Sequence, residues 1–214
     1  IERFRPYAEK FGDMLGDLAS RTNGSAHPLL QVHEQASSAV VLLITSDRGL
    51  CGGFNVNLIS TALTLAKQRA DAGMTVRFIC VGRKGRDAVR KTPYEMIESY
   101  GDVMGSFDFR LAARLGGKVS QLYTSGEADE VHLVYGEFVG MTRQIPVAMG
   151  LLPVKPAAAP ADGQAAVPAS ATECIYEPEV GTLLAELLPR YVNVQIYRGL
   201  LDSSASENAA RMAA

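Results

Sequence analysis

The sequence predicts an α/β domain with a mostly parallel sheet, flanked by helices at the two ends of the chain that pair antiparallel. Two observations carry the domain and a third carries the helices. AVVLLIT (39–45) and TVRFICV (75–81) are continuous β-rich apolar runs, as expected of strands covered on both faces. One helical segment lies between them, which makes a βαβ unit, and the handedness rule then sets the two strands parallel. Both ends of the chain carry apolar stripes at helical spacing, which need a partner to cover them, and pairing with each other is the simplest solution.

In chain order, Phe4, Tyr7, Phe11, Leu15 and Leu18 form the first stripe, with no capping residue ahead of it. From Asn55 the positions Val56, Ile59, Leu63 and Ala66 recur at helical spacing as far as Ala72-Gly73, where glycine supplies a stop. GRKGRDAVRK reads as a short basic helix before Pro93, YEMIES as a weaker strand, and 107–123 as a long helix that Gly116-Gly117 could interrupt. EVHLVYGEF (130–138) is another strand. QIPVAMGLLPV (144–154) is extended, and its prolines place it at an edge. Residues 155–173, rich in Pro and Ala, lack the large apolar side chains of a core and read as a solvated, largely disordered surface loop. CIYEPE is then a short extended piece. The last segment carries a stripe of Leu183, Leu184, Leu187, Leu188, Tyr191, Val194, Tyr197 and Leu201 across Pro189, which should kink the helix or start a new one. Its final third, SSASENAARMAA, has mainly small side chains and suggests only a slender contact with one neighbour. The uncapped start and the unterminated end lead to the expectation that both helices continue beyond this chain. The expected divisions are 1–22 for the first helix, 23–178 for the α/β domain and 179–214 for the last helix.

Composition narrows the function. With 21 Lys+Arg against 23 Asp+Glu the net charge is −2, so no basic field draws the chain to nucleic acid. No apolar run approaches the roughly 18 residues of a membrane span, which disfavours direct insertion. Cys51, Cys80 and Cys174 are widely spaced without a C-x-x-C, which fits a reducing compartment and disfavours a metal site.

The stretch ITSDRGLCGGFNVNL (44–58) holds the candidate chemistry. Gly49, Gly52 and Gly53 lie between a strand and a helix, where a dinucleotide fold places its phosphate loop. G-L-C-G-G is neither G-x-G-x-x-G nor a P-loop, so the glycines read first as a tight structural turn. Cys51 lies at a helix N-terminus three residues after Arg48, two features that activate a thiol, but His27, His33 and His132 are distant in sequence. Cys80 sits inside a strand and reads as core. Gly82-Arg83-Lys84-Gly85-Arg86 follows a strand and could hold a phosphate, against the plainer reading of a solvated basic helix start. Residues and spacing alone reach a domain with no convincing catalytic centre.

Three stretches then carry a resemblance: SDRGLCGGFNVNL, RPY at 5–7, and EPEVGTLLAELLPRYVNVQIYRGLLDSSASENAARMAA. Together they resemble the gamma subunit of F-type ATP synthases, over nearly the whole chain and in order. The resemblance implies a Rossmann-like three-layer domain below an antiparallel coiled coil. It also implies a non-catalytic central rotor that transmits torque from a membrane c ring to catalytic beta subunits, with no cofactor of its own. Alpha, beta and epsilon subunits and the c ring are the implied partners, at the cytoplasmic face of a bacterial inner membrane. It places Ser46, Asp47, Arg48, Gly49 and Cys51 beside the beta subunits, and Tyr176, Glu177 and Pro178 near epsilon and the c ring. Asp47 and Arg48 could instead cap the turn and helix locally. Asp202 and Asn208 depart from the family pattern, changes expected to preserve a helix surface. The 155–173 loop has no cysteine, unlike the redox-regulated chloroplast form. A nucleotide-binding enzyme and a stand-alone helical adaptor are the rival functions.

Overall fold

The computed structural model of the chain describes residues 4–20, 27–155 and 180–214. Five strands make one sheet: β1 (Ser38–Ile44), β2 (Thr75–Val81), β3 (Glu95–Tyr100), β4 (Glu130–Gly140) and β5 (Arg143–Leu152). Their order is β3-β2-β1-β4-β5. β1 pairs in parallel with β2 and with β4, β2 pairs in parallel with β3, and β4 and β5 form an antiparallel hairpin. The two apolar runs are therefore adjacent parallel strands, as the βαβ reading requires. β5 is an edge strand, which is where Pro146 is tolerated.

Period-2 alternation along β1 divides the core into two layers. Val40, Leu42 and Ile44 face a cluster built with helices α1 (Arg5–Ser20), α4 (Phe109–Thr124) and α5 (Val180–Ala213). Ala39, Val41 and Leu43 face a second cluster built with α2 (Phe54–Asp71) and α3 (Arg83–Val89). In α2 the buried face is Phe54, Leu58, Ala62 and Ala66, whereas Val56 is 67% exposed. Of the expected stripe of Val56, Ile59, Leu63 and Ala66, Ala66 is fully buried, Ile59 and Leu63 lie on the partly buried flank and Val56 faces out, because small alanines let the helix lie close to the sheet. Asp108 starts α4 by accepting the Arg110 and Leu111 N–H groups at 3.0 and 3.3 Å. The helix continues through Gly116-Gly117. Gly116 is needed for packing, since a Cβ there would lie 1.9 Å from Asn193 Oδ1 of α5.

α5 runs unbroken through Pro189, so no new segment begins there. Between 192 and 200 it is buried on several sides: Val192, Val194, Ile196 and Leu200 all belong to the core cluster it shares with α1, α4 and the sheet. α1 packs on it antiparallel, with Phe4 edge-on to Tyr197 at 5.2 Å and Phe11 against Tyr191 at 6.1 Å. Ala8 occupies the buried seam while Tyr7 stays half-exposed. The end of α5 makes far more than a slender contact. Asp202, Ser203, Ser206, Glu207, Ala209 and Ala210 are all buried, because small side chains bring the helix close to β4. Asp202 is therefore no surface position, although Asn208 is exposed. The 156–173 loop and the extended piece at 174–179 lie outside the described residues. Among those described, no helix is long and apolar enough to cross a membrane.

Candidate functional site

The loop after β1 is tied from inside. Asn55, on the first turn of α2, accepts the Ser46 N–H at 3.0 Å and donates from Nδ2 to Ser46 Oγ at 2.8 Å and to Cys51 Sγ at 3.0 Å. Ser46 Oγ lies 2.5 Å from the Arg48 carbonyl and donates to it. Ser46 and Cys51 are almost fully buried by these contacts, so neither side chain offers an outward surface. The turn passes through the left-handed region at Leu50 (φ 61°) and Gly52 (φ 53°). For Gly52 that conformation costs little. Leu50 adopts it with a side chain 89% exposed, and with exposed Arg48 it forms the tip of the loop.

Asp47 points the other way. Its Oδ1 accepts the Arg83 N–H at 3.1 Å and the Asp102 N–H at 2.8 Å, and its Oδ2 accepts the Met104 N–H at 3.0 Å. The Lys84 N–H donates to the Ser46 carbonyl at 3.1 Å and the Gly85 N–H to Thr45 Oγ1 at 2.8 Å. The first three N–H groups of α3 are thus all taken by residues 45–47. A carboxylate of this chain stands where an anion would bind, and the phosphate reading of residues 82–86 is closed. Gly82 makes this approach possible. Its φ is 94°, and a Cβ there would lie 2.2 Å from the Thr45 carbonyl oxygen.

The strand order reverses between β1 and β4, the place where open α/β sheets bind ligands in the crevice beyond the strand ends. Here the chain fills it. The Gly136 N–H of β4 donates to Ser203 Oγ at 3.0 Å, and Ser206 Oγ donates to the Gly136 carbonyl at 3.1 Å. Gly136 also meets the Phe54 ring, which a Cβ would approach to 2.5 Å. Beyond it, Arg211 Nη1 donates to the Gly49 carbonyl at 2.7 Å and Nη2 pairs with Glu207. Two clefts stay open beside these contacts: a polar one of about 350 Å³ with Arg48, Arg83, Asp102, Glu207 and Arg211 on its walls, and one of about 240 Å³ lined by Gly52, Gly53, Phe54, Gly136 and Ala210.

Among the described residues the polar partners of Cys51 Sγ are Asn55 and Ser46, and no histidine bonds to it. His33 pairs with Asp129, His132 with Glu130, and His27 caps a 3-10 turn at Pro28–Leu30. Cys80 is fully buried, and burial pushes its thiol up to about 12, which makes it core. Of the loop residues singled out from sequence, Asp47, Gly49, Gly52 and Gly53 build the turn and the Arg48 side chain reaches outward, while Arg83 and Lys84 are exposed at the start of α3. Tyr176, Glu177 and Pro178 lie outside the described residues. Sequence reasoning missed Leu50, whose exposure depends on the turn, and the Glu207-Arg211 pair, although its i,i+4 spacing was visible.

The fold and site define a doubly wound α/β domain with its own last helix bonded to β4 beside the switch point and a loop tip turned outward. A family model described as ATP synthase matches residues 1–214. The ATP synthase gamma chain of Nitratidesulfovibrio vulgaris Hildenborough is 60% identical over 214 residues, covering the whole of this chain and 72% of that protein. The gamma chain of Lawsonia intracellularis is 50% identical over the same share of each. The fold also matches a chain of the Tetrahymena thermophila mitochondrial ATP synthase central stalk and c-ring, with a TM-score of 0.61 at 24% identity, covering 99% of this chain and 96% of that one. A chain of the Euglena gracilis mitochondrial ATP synthase rotor matches with a TM-score of 0.54 at 16% identity, covering 99% and 85%. The chain belongs to the ATP synthase gamma chain family.

Proposed function

We propose that this chain is the central-stalk rotor of a proton-translocating F-type ATP synthase and is not itself catalytic. It transmits torque between a membrane c ring and the catalytic beta subunits, in the direction of ATP synthesis or of hydrolysis. The observation that carries the reading is the 60% identity to a gamma chain across the whole of the sequence. The bonded Gly136 crevice and the occupied α3 N-terminus support a mechanical role, since both are spent on internal contacts. A rotor acts by biasing its partners between states, which requires contacts that differ with angle. Arg48 and Leu50, at the loop tip, are the groups that meet the beta subunits, while Ser46, Asp47, Gly49 and Cys51 hold the tip in place. Tyr176, Glu177 and Pro178 are the proposed contacts to epsilon and the c ring. The rotor sits peripherally at the cytoplasmic face of a bacterial inner membrane.

Reconstitution with alpha and beta subunits tests this. The subunit should assemble into an ATPase whose hydrolysis drives its rotation; failure to assemble would overturn the assignment. Micromolar binding of a nucleotide to the chain alone, measured by calorimetry, would favour the enzyme reading instead.

A further inference from the structure

The seam between α1 and α5 is mostly apolar, built from Phe4, Ala8, Phe11 and Leu15 against Leu184, Leu188, Tyr191 and Tyr197. Apolar contact is non-directional, so such a seam leaves the axial register of the two helices weakly specified. A charged cluster breaks the pattern. Asp202 of α5, with its side chain 1% exposed, accepts from Arg5 Nη2 of α1 at 2.7 Å. The same nitrogen donates to the Phe138 carbonyl of β4. Arg198, one turn before Asp202, lies 3.7 Å from Glu9 of α1, from Glu137 of β4 and from Asp202 Oδ2. Two arginines and three carboxylates thus join both helices to the sheet.

The cluster is poorly made as a source of stability. Arg5 Nε, Arg198 Nε and Asp202 Oδ2 are buried without a hydrogen-bond partner among the described residues. Apolar side chains of similar volume commonly stabilise a buried site as well or better, and the best-attested use of a buried polar group in a helix pair is to set register.

We propose that the Arg5–Asp202 pair locks the register of α1 against α5, and that this lock makes the helix pair and the α/β domain turn as one body. The first half stands on the geometry alone, and the second rests on the rotor reading above.

The test compares the parent chain with R5M/D202L, an apolar replacement chosen to keep the fold, and with D202N, which leaves Arg5 without its charge partner. Spin labels at the exposed positions Lys10 and Arg190, with Cys174→Ser, report the separation of α1 and α5 by pulsed electron resonance. The parent should give one narrow distance. R5M/D202L should melt cooperatively yet give a broadened distance, or one displaced by up to a helical turn, about 5.4 Å. The same narrow distance in both variants would overturn the lock. In the assembled ATPase, R5M/D202L should then lower protons pumped per ATP hydrolysed by about twofold or more. A shifted register with unchanged coupling would overturn the torque half. A parent subunit that fails to assemble would count against the rotor reading, and the spin-label distances would still decide the lock.

Discussion

Replacing Asp47 separates the two charged residues that sequence reasoning treats as one unit. Asp47 accepts three backbone N–H groups drawn from α3 and from residues 102–104. Hydrogen bonds to a charged group are worth about 1.5–3 kcal/mol each when buried. The site is half-exposed, so water partly replaces the lost acceptor in Asp47→Ala, and about 1 kcal/mol per bond is the apt value. The expected loss is then about 3 kcal/mol, against a total of roughly 5–15 kcal/mol for a domain. For a chain of this size that lowers Tm by about 6–12 °C. Asp47→Asn keeps one acceptor oxygen for Arg83 and Asp102 but turns an N–H toward that of Met104, and should fall between parent and Asp47→Ala. Arg48→Ala removes an exposed side chain and should stay within about 0.5 kcal/mol of the parent. Urea unfolding followed by circular dichroism measures all three, and amide hydrogen exchange at Arg83, Asp102 and Met104 locates the effect. Asp47→Ala within about 0.5 kcal/mol of the parent, with exchange unchanged at those amides, would refute the claim that Asp47 acts as an internal anion.

Gly136→Ala places a methyl within 2.5 Å of the buried Phe54 ring and should cost about 1–3 kcal/mol in thermal unfolding, because the ring has to shift to admit it. Burial alone would raise the Asp129 carboxyl, but the Ser37 N–H, the His33 ring and the Ser38 hydroxyl and N–H together hold it well below the usual carboxylate range. Because its folded pKa lies below its unfolded value near 4, its contribution is fully present above that pH and is lost as pH falls further. Urea midpoints measured from pH 7 down to pH 3 should drop at the acid end, and Asp129→Asn should flatten that drop while lowering stability at neutral pH. Iodoacetamide at pH 8 should leave Cys51 and Cys80 unmodified in the folded chain, since both are buried and the Cys80 thiol titrates near 12; mass spectrometry after a native pulse checks it.

The sheet was legible because local signals and tertiary demand agree in it. The 39–45 and 75–81 runs are β-rich and bounded by turn residues, and both are central strands. In α2 they disagree. Val56, Ile59 and Leu63 look like a core face, but the buried face uses Phe54, Leu58, Ala62 and Ala66, and hydrophobicity scales underweight alanine where a helix must lie close to a sheet. The same misreading hid the end of α5, whose small residues are small because Gly136 of β4 lies under them. The Arg5–Asp202 pair joins residues 197 apart in sequence, and no spacing rule reaches across that distance. For the loop tip, glycine spacing identified a turn, but which side chains faced inward was decided by Asn55, four residues beyond Cys51.

The filled sites bear on how such a domain carries load. A dinucleotide fold keeps its helix N-termini and its switch-point crevice open for a ligand that comes and goes. In this chain Thr45, Ser46 and Asp47 take the α3 donors, and Ser203 and Ser206 take both backbone groups of Gly136. Arg211 then ties the last turns of α5 back to the Gly49 carbonyl in the same loop. Loop, α3, β4 and α5 thereby form one hydrogen-bonded unit beneath the exposed Arg48-Leu50 tip. A force on the tip enters the sheet through several short polar contacts in parallel, so no one flexible hinge has to bear it. An open crevice at the same place would have left that tip on a loop joined to the domain by β1 and α2 alone.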